Sequence, residues 1–329
     1  MKNRNILITG GAGFIGSNLL VKLVKKYPNY NFHNIDSLTY AADLNNLLEI
    51  EDYKNYFFYK VDIKDFGKVN EIFSKKKIDS VIHLAAESHV DNSIENPNDF
   101  ALTNVLGTLN LLMSAKNNWE SFDSKIFYHV STDEVFGSLD RTGFFQEETS
   151  YDPRSPYSAS KASSDHFVRS FFHTFKLPIL ISNCSNNYGP KQHLEKLIPK
   201  VINNSIKLMN IPIYGDGMNV RDWLFVDDHV DAIDLIFHEG RIGETYLVGG
   251  NNELNNLDLV KKIIYEVDNK LKRSENSDYL IEFIDDRKGH DFRYAIDSSK
   301  IQTQLGWKPK YNFEEAIKTT INHYINKLK

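Results

Sequence analysis

The chain has 329 residues, 41% of them hydrophobic and 25% charged, which suits a soluble globular protein with room for one large or two medium domains. A net charge of −5 leaves no basic surplus for a nucleic-acid backbone, so no nucleic-acid partner is expected. Cys184 is the only cysteine, which excludes an internal disulfide and a cysteine-rich metal site. The apolar run before Gly10 is too short for a signal peptide or a membrane span, so the expectation is a cytoplasmic protein.

In chain order, residues 5–9 read as a short buried strand followed at once by glycines. A helical pattern runs over 14–26, with Leu19, Leu20, Leu23 and Val24 on one stripe. Further strands are expected at 31–36, 56–61, 80–84, 125–131 and 179–183, with helices at 65–76, 98–115 and 157–175 between most of them. This alternation predicts an α/β fold with a doubly wound parallel sheet of Rossmann type. Beyond residue 183 turn signals cluster at Tyr188-Gly189-Pro190, Tyr214-Gly215-Asp216-Gly217 and Gly249-Gly250-Asn251, and helices are expected at 226–238, 257–269 and 312–329. The expected organisation is a dinucleotide-binding domain over 1–183 and a smaller mixed α/β substrate lobe over 184–329, with a soft boundary that the chain crosses more than once.

The turn after the first strand, Gly10-Gly11-Ala12-Gly13-Phe14-Ile15-Gly16, has the glycine spacing that lets backbone approach a pyrophosphate at a helix N-terminus. Asp36 ends the second strand, where a carboxylate holds ribose hydroxyls and repels a 2′-phosphate, which favours NAD over NADP. Asp62 and Ile63 after the third strand, and Leu84-Ala85-Ala86 after the fourth, are further places for the cofactor to pass. A plain turn and simple packing account for those two segments equally well.

Tyr157 and Lys161 stand one helical turn apart, with Pro156 in the first turn. An ammonium beside a phenol stabilises the phenolate, so the pair is expected to lower the Tyr157 pKa and to accept a proton from a hydroxyl during hydride transfer. Ser131-Thr132 after the fifth strand falls where the nicotinamide end should lie. With these elements the chain resembles the extended short-chain dehydrogenases/reductases, through its T-G-G-x-G-F-I-G opening, its H-L-A-A segment (His83 to Ala86) and its Y-x-x-x-K pair.

Within that family the segment Ser131-Thr132-Asp133-Glu134-Val135-Phe136-Gly137 is similar to the S-T-D-E-V-Y-G motif of dTDP-glucose 4,6-dehydratases, with Phe136 in place of tyrosine. The resemblance implies that Glu134 is the base at carbon 5, Asp133 the acid at carbon 6, and Thr132 a partner of the carbon 4 oxygen. It also implies cofactor contacts from Thr103 and Asn187, and substrate contacts from Ser88, Asn186, Glu195, Lys196 and Leu197. Arg221 would clamp the diphosphate, Asn256 would be a further phosphate contact, and Arg287 and His290 would lie near the nucleotide. Lys288 and Lys191-Gln192-His193-Leu194 depart from the family's usual runs, which leaves the thymidine-contact region less defined. No histidine spacing suggests a metal site.

The implied reaction is dehydration of a nucleotide hexose, dTDP-glucose before UDP-, CDP- or GDP-linked sugars, with NAD regenerated in each turnover. A nucleotide-sugar 4-epimerase keeps Thr132, Tyr157 and Lys161 but does not require the acid pair, and a regulator that only binds cofactor requires neither. The family also implies a homodimer through helices 98–115 and 157–175, to which Phe167, Phe171 and Phe172 would contribute unless they are core.

Overall fold

The computed structural model describes residues 3–328. Seven parallel strands form the main sheet: β1 (Arg4–Thr9), β2 (Tyr30–Asp36), β3 (Tyr56–Lys60), β4 (Ser80–His83), β5 (Ile126–Thr132), β6 (Ile179–Cys184) and, later in the chain, a strand at Thr245–Val248. Their spatial order is β3-β2-β1-β4-β5-β6, with the late strand beside β6. The order reverses between β1 and β4, which opens a crevice at the strands' carboxyl ends. The helices between them are α1 (Phe14–Lys26), α2 (Phe66–Lys76), α3 (Val90–Glu95), α4 (Pro97–Phe100), α5 (Gly107–Asn118) and α6 (Pro156–Phe175).

Alternate side chains of each strand leave the sheet on opposite faces. Leu7, Ile35, Val81, Phe127, Ile179 and Ile181 pack with residues of α2, α5 and α6. Ile6, Ile8, Phe32, Ile82, Tyr128 and Leu180 pack on the other face with the buried stripe of α1, Leu19, Leu20, Leu23 and Val24. Burial on both faces is why these strands read as aliphatic runs rather than as alternating ones.

The helix expected over 98–115 is interrupted. α4 runs into a π-helical turn at Ala101–Leu106 before α5 begins. The turn frees the carbonyl of Asn104, which accepts the hydroxyls of Thr108 (2.5 Å) and Ser164 (2.7 Å), and the Asn104 side chain ties to the Glu87 backbone and to Ser160. Side-chain hydroxyls thus supply what the helix gives up, a feature invisible to periodicity.

The rest of the chain adds β7 (Asn186–Tyr188), α7 (Leu197–Lys207), β8 (Ile211–Tyr214), β9 (Val220–Phe225), α8 (Val226–Glu239), β10 (Thr245–Val248), β11 (Glu253–Asn255), α9 (Asn256–Leu271), β12 (Ile281–Ile284), α10 (Ser299–Leu305) and α11 (Phe313–Leu328). β7, β9 and β11 form one small sheet and β8 with β12 another. β10 is the late strand of the main sheet, and α8 packs against α1, so the chain returns to the first layer after leaving it. Residue 329, placed in the last expected helix, lies outside the described residues.

Phe171 is 5% exposed and belongs to the core, and Phe172 packs partly buried on the same cluster. Only Phe167, 38% exposed, remains available to an interface. The buried stripe of α6 takes in Phe171, which packs with the strands' side chains on that face of the sheet.

Candidate active site

One cavity runs along the carboxyl ends of the strands, from the glycine loop to β7 and the segment that leads into α7. Gly10, Gly13, Phe14, Ile15 and Gly16 line its floor. Gly10 has φ +71, and a Cβ there would stand 2.8 Å from the Ala85 backbone, so the loop and the end of β4 approach as only glycine allows. A Cβ on Gly16 would meet the Gly10 carbonyl at 2.2 Å, which fixes the turn against its own helix. α1 begins without a side-chain cap at Gly13, so its first-turn N–H groups are directed at the cavity, as an anion requires.

Asp36 accepts from the Ala12 N–H (2.9 Å) and the Leu38 N–H (2.8 Å). Burial pushes its carboxyl up and those two donors oppose the shift. Asp62, Ile63, Leu84, Ala85, Ala86, Thr103 and Asn187 line the same groove. An adenine dinucleotide fits this donor set: an uncapped helix start for the pyrophosphate, a carboxylate for the ribose and small residues beneath.

At the far end β5 delivers Thr132, and a short 3-10 turn (Asp133–Phe136) carries the two acids. Thr132 caps that turn by accepting from the Glu134 N–H (3.3 Å) and donates to Asp133 Oδ1 (3.3 Å). Asp133 is 1% exposed, and its Oδ2 has no partner among the described residues. Burial first, then the charges of Glu134 and Asp222, push its carboxyl well above the usual range. Burial also raises Glu134, but Arg221, Lys196 and Arg287 oppose the shift. Two adjacent carboxyls therefore sit in environments that separate their affinities for a proton.

A capping box between Ser155 and Ser158, with Pro156 in the first turn, starts α6 and fixes the height of Tyr157 and Lys161. Both are buried and both line the cavity beside Thr132. The expected lowering of the phenol does not occur. Burial, then the nearby Glu134 carboxylate, push Tyr157 well above its ordinary value, and the Thr132 hydroxyl opposes only weakly. The Lys161 ammonium donates to the Val130 carbonyl (3.0 Å) rather than to the phenol.

Ser88, Asn186, Glu195 and Lys196 also line the cavity, and the Lys196 ammonium donates to the Ser88 carbonyl (2.7 Å). The remaining expected substrate residues do not line it. Leu197 opens α7 half-buried, packed against the main core, and is not among the residues that line the cavity. Arg221 donates to the carbonyls of Val220 (2.7 Å) and Asp291 (2.9 Å) and lies over the Tyr294 ring at 4.2 Å. Arg287 forms a two-point pair with Asp91 (2.6 and 3.0 Å), and His290 bonds Asp286 (2.7 Å). Asn256 starts α9 with its Oδ1 buried and unpartnered among the described residues.

The segment 191–196, which departs from the family's usual run at its start, borders the cavity, and two of its lining residues, Gln192 and His193, were given no role in the sequence. Tyr324 of α11 donates to the Gln192 carbonyl, and Tyr40 donates to Glu195 (3.3 Å). The Gly189-Pro190 turn was the available signal, but its long-range partners are not encoded locally.

The chain matches the GDP-mannose 4,6 dehydratase family over residues 7–320. It is 50% identical over 325 residues to a probable dTDP-glucose 4,6-dehydratase of Sinorhizobium fredii, covering 97% of this chain and 92% of that one. It is 47% identical to the dTDP-glucose 4,6-dehydratase of Haemophilus influenzae, covering 98% of each. Among solved structures, the dTDP-glucose 4,6-dehydratase of Streptomyces venezuelae, with NAD bound, superposes with a TM-score of 0.90 at 40% identity, covering 98% of this chain and 97% of that one. UDP-glucose 4-epimerase of Thermotoga maritima shares the fold at a TM-score of 0.87 but only 28% identity, covering 99% of this chain and 100% of that one. With sequence and fold in agreement over nearly its whole length, the chain belongs to the dTDP-glucose 4,6-dehydratase family of extended short-chain dehydrogenases/reductases.

Proposed function

We infer that the protein converts dTDP-glucose to dTDP-4-keto-6-deoxyglucose with NAD as its cofactor, and that the residues named above divide the work as follows. The observation that carries the reading is the acid pair: Asp133 and Glu134 stand beside Tyr157 and Lys161 on one cavity that is continuous with the glycine loop. Neither an epimerase nor a simple reductase needs two such carboxyls.

Bound NAD supplies a positive ring beside the phenol, accepts the hydride of carbon 4 and returns it to carbon 6. Tyr157 would take the proton of the carbon 4 hydroxyl as its phenolate, a form that the positive charges of Lys161 and of bound NAD would favour against the burial that raises the phenol, with Thr132 holding the oxygen. Oxidation at carbon 4 acidifies the carbon 5 proton, which Glu134 would remove and give back to carbon 5 as the hydride arrives at carbon 6. Glu134 suits the base role because Arg221, Lys196 and Arg287 favour its charged form. Asp133 suits the acid role because burial keeps its proton in place, ready for the departing carbon 6 hydroxyl. Lys196 and Glu195 line the hexose end, and Asn186 and Ser88 lie beside them.

Arg221 would hold the nucleotide diphosphate, and Arg287 and His290 the nucleotide near it, after exchanging internal partners for substrate, with Asn256 a further phosphate contact; a planar guanidinium suits phosphate oxygens. A division into a cofactor domain and a nucleotide-sugar lobe near residue 183 agrees with this split of roles. A homodimer through α5 and α6 is supported by the exposed Leu102, Leu106 and Phe167 near that face. No described helix is long and apolar enough to cross a membrane.

The test is incubation of the protein with dTDP-, UDP-, CDP- and GDP-linked hexoses, followed by product mass. Loss of one water from dTDP-glucose alone supports the reading, and an isomer of unchanged mass from a UDP-sugar contradicts it.

A further inference from the structure

Tyr157 and Lys161 are followed on the same face of α6 by Asp165 and Arg169, each one turn further on. Asp165 is 0% exposed. Its Oδ2 accepts from the Tyr151 hydroxyl (2.7 Å) and from Asn183 Nδ2 (3.2 Å), and its Oδ1 stands 3.1 Å from His129 Nε2. The same Asn183 amide donates to the Thr132 carbonyl (3.0 Å). Arg169, half-buried, donates to the Tyr151 hydroxyl (2.9 Å). None of these groups is used in the chemistry derived above.

We propose that Asp165 is a positioning residue for the oxidation step: its carboxylate is the buried counter-charge of Lys161 and, through Asn183, the anchor of the strand end that carries Thr132. The inference rests on the roles given to Tyr157 and Lys161.

The physical case is a balance of charge. A buried ammonium bonded, among the described residues, only to the Val130 carbonyl is costly unless an opposite charge is near. Burial lowers the Lys161 affinity for its proton, and Asp165 is the largest opposing influence. Burial would equally neutralise Asp165, but the His129 ring 3.1 Å away, then the Lys161 ammonium and the Tyr151 hydroxyl, hold its carboxyl below the usual range. His129 itself is pushed down to about 4 by burial, and so is neutral at pH 7. The groups that face Lys161 are Tyr157 and Asp165 on α6, His83 on β4, His129 on β5 and Cys184 on β6. Of these only Asp165 carries a charge near neutral pH. Asp165 is in turn faced by Tyr151 and Arg169 as well as by Lys161 and His129. The geometric link matters as much, because one amide joins this carboxylate to the backbone of a residue that holds the reacting oxygen.

The direct test is Asp165→Asn in the NAD-loaded protein, mixed with dTDP-glucose while transient NADH formation is followed across pH. Asparagine keeps the shape and an acceptor for Tyr151 but removes the charge. The expected result is an oxidation rate lower by about tenfold or more with KM for the sugar within about twofold, since small displacements of reacting groups cost rate rather than affinity. The alkaline limb of the profile should also move to lower pH, because Lys161 without its counter-charge loses its proton sooner. A merely structural role would lower the melting temperature and leave that limb in place. Tyr151→Phe, which removes one bond to the carboxylate, should act in the same direction but less strongly, and serves if Asp165→Asn does not fold. An unchanged rate and profile in Asp165→Asn, or in Tyr151→Phe where that variant alone folds, overturns the inference while wild-type turnover upholds the dehydratase reading. Absence of dehydration by the wild-type protein overturns both.

Discussion

At the end of the cavity built by β5 and α6, Thr132, Asp133, Glu134 and Tyr157 direct their polar groups into the space where a hexose would react, whereas at the end built by the C-terminal loops Arg221, Arg287 and His290 direct theirs at the protein itself. The first set is held by strand register, a capped 3-10 turn and a capped helix start. The second is held by carbonyls and carboxylates that a diphosphate can replace. The contrast teaches that preorganisation is concentrated where charge develops in the reaction. Where the substrate is merely held, the site carries internal partners that compete with it.

The largest effect should come from the preorganised end. Tyr157→Phe is expected to lower the oxidation rate by about 100-fold or more, because no other group at carbon 4 can take the hydroxyl proton. Stopped-flow absorbance should then show NAD remaining oxidised with the sugar bound. An oxidation rate close to wild type would remove Tyr157 from the mechanism.

Asp133 offers a pH test of the same end. Its carboxyl is raised well above the usual range by burial, then by Glu134 and Asp222, so it keeps its proton to higher pH than an ordinary carboxyl does. Raising the pH through that elevated value strips the proton it is to donate, so water loss should slow on the alkaline side. Asp133→Asn should lower the rate of water loss by about 100-fold and abolish this limb. If the variant changes only KM, the acid belongs to another group.

The smallest effect should come from the self-paired end. Asp91→Asn weakens the two-point pair with Arg287 and frees the guanidinium for phosphate. KM for dTDP-glucose should fall about threefold with kcat unchanged, as expected when a competing internal state is removed. An unchanged KM would mean that Arg287 does not meet the diphosphate.

Legibility in the sequence followed the same divide. Six strands of the main sheet, α1 and α6 were readable because aliphatic strand cores, glycine turns and a proline at a helix start are local signals, whereas the seventh strand, Thr245–Val248, was not expected. The helix over 98–115 was read as continuous because the hydroxyls that satisfy the π turn, Thr108 and Ser164, lie outside any periodic rule. The short strands β8 and β12 escaped notice because each is stabilised by a partner about 70 residues away in the chain. In the site, the catalytic cluster could be named because its runs of adjacent residues resemble the family's motifs, which spacing alone would not have distinguished from a solvated loop or a chance helix pair. The phenol's upward shift was missed because it depends on burial and on Glu134, both products of the fold.

The account's central claim is that oxidation and elimination are carried by separate groups in one cavity, and Glu134→Gln tests it most directly. On mixing the NAD-loaded variant with dTDP-glucose, NADH should appear at close to the wild-type rate and then persist, because the carbon 5 proton stays in place and no acceptor forms for the returning hydride. Rapid release of the 4-keto-6-deoxy product by that variant, or failure to form NADH at all, would contradict the claim.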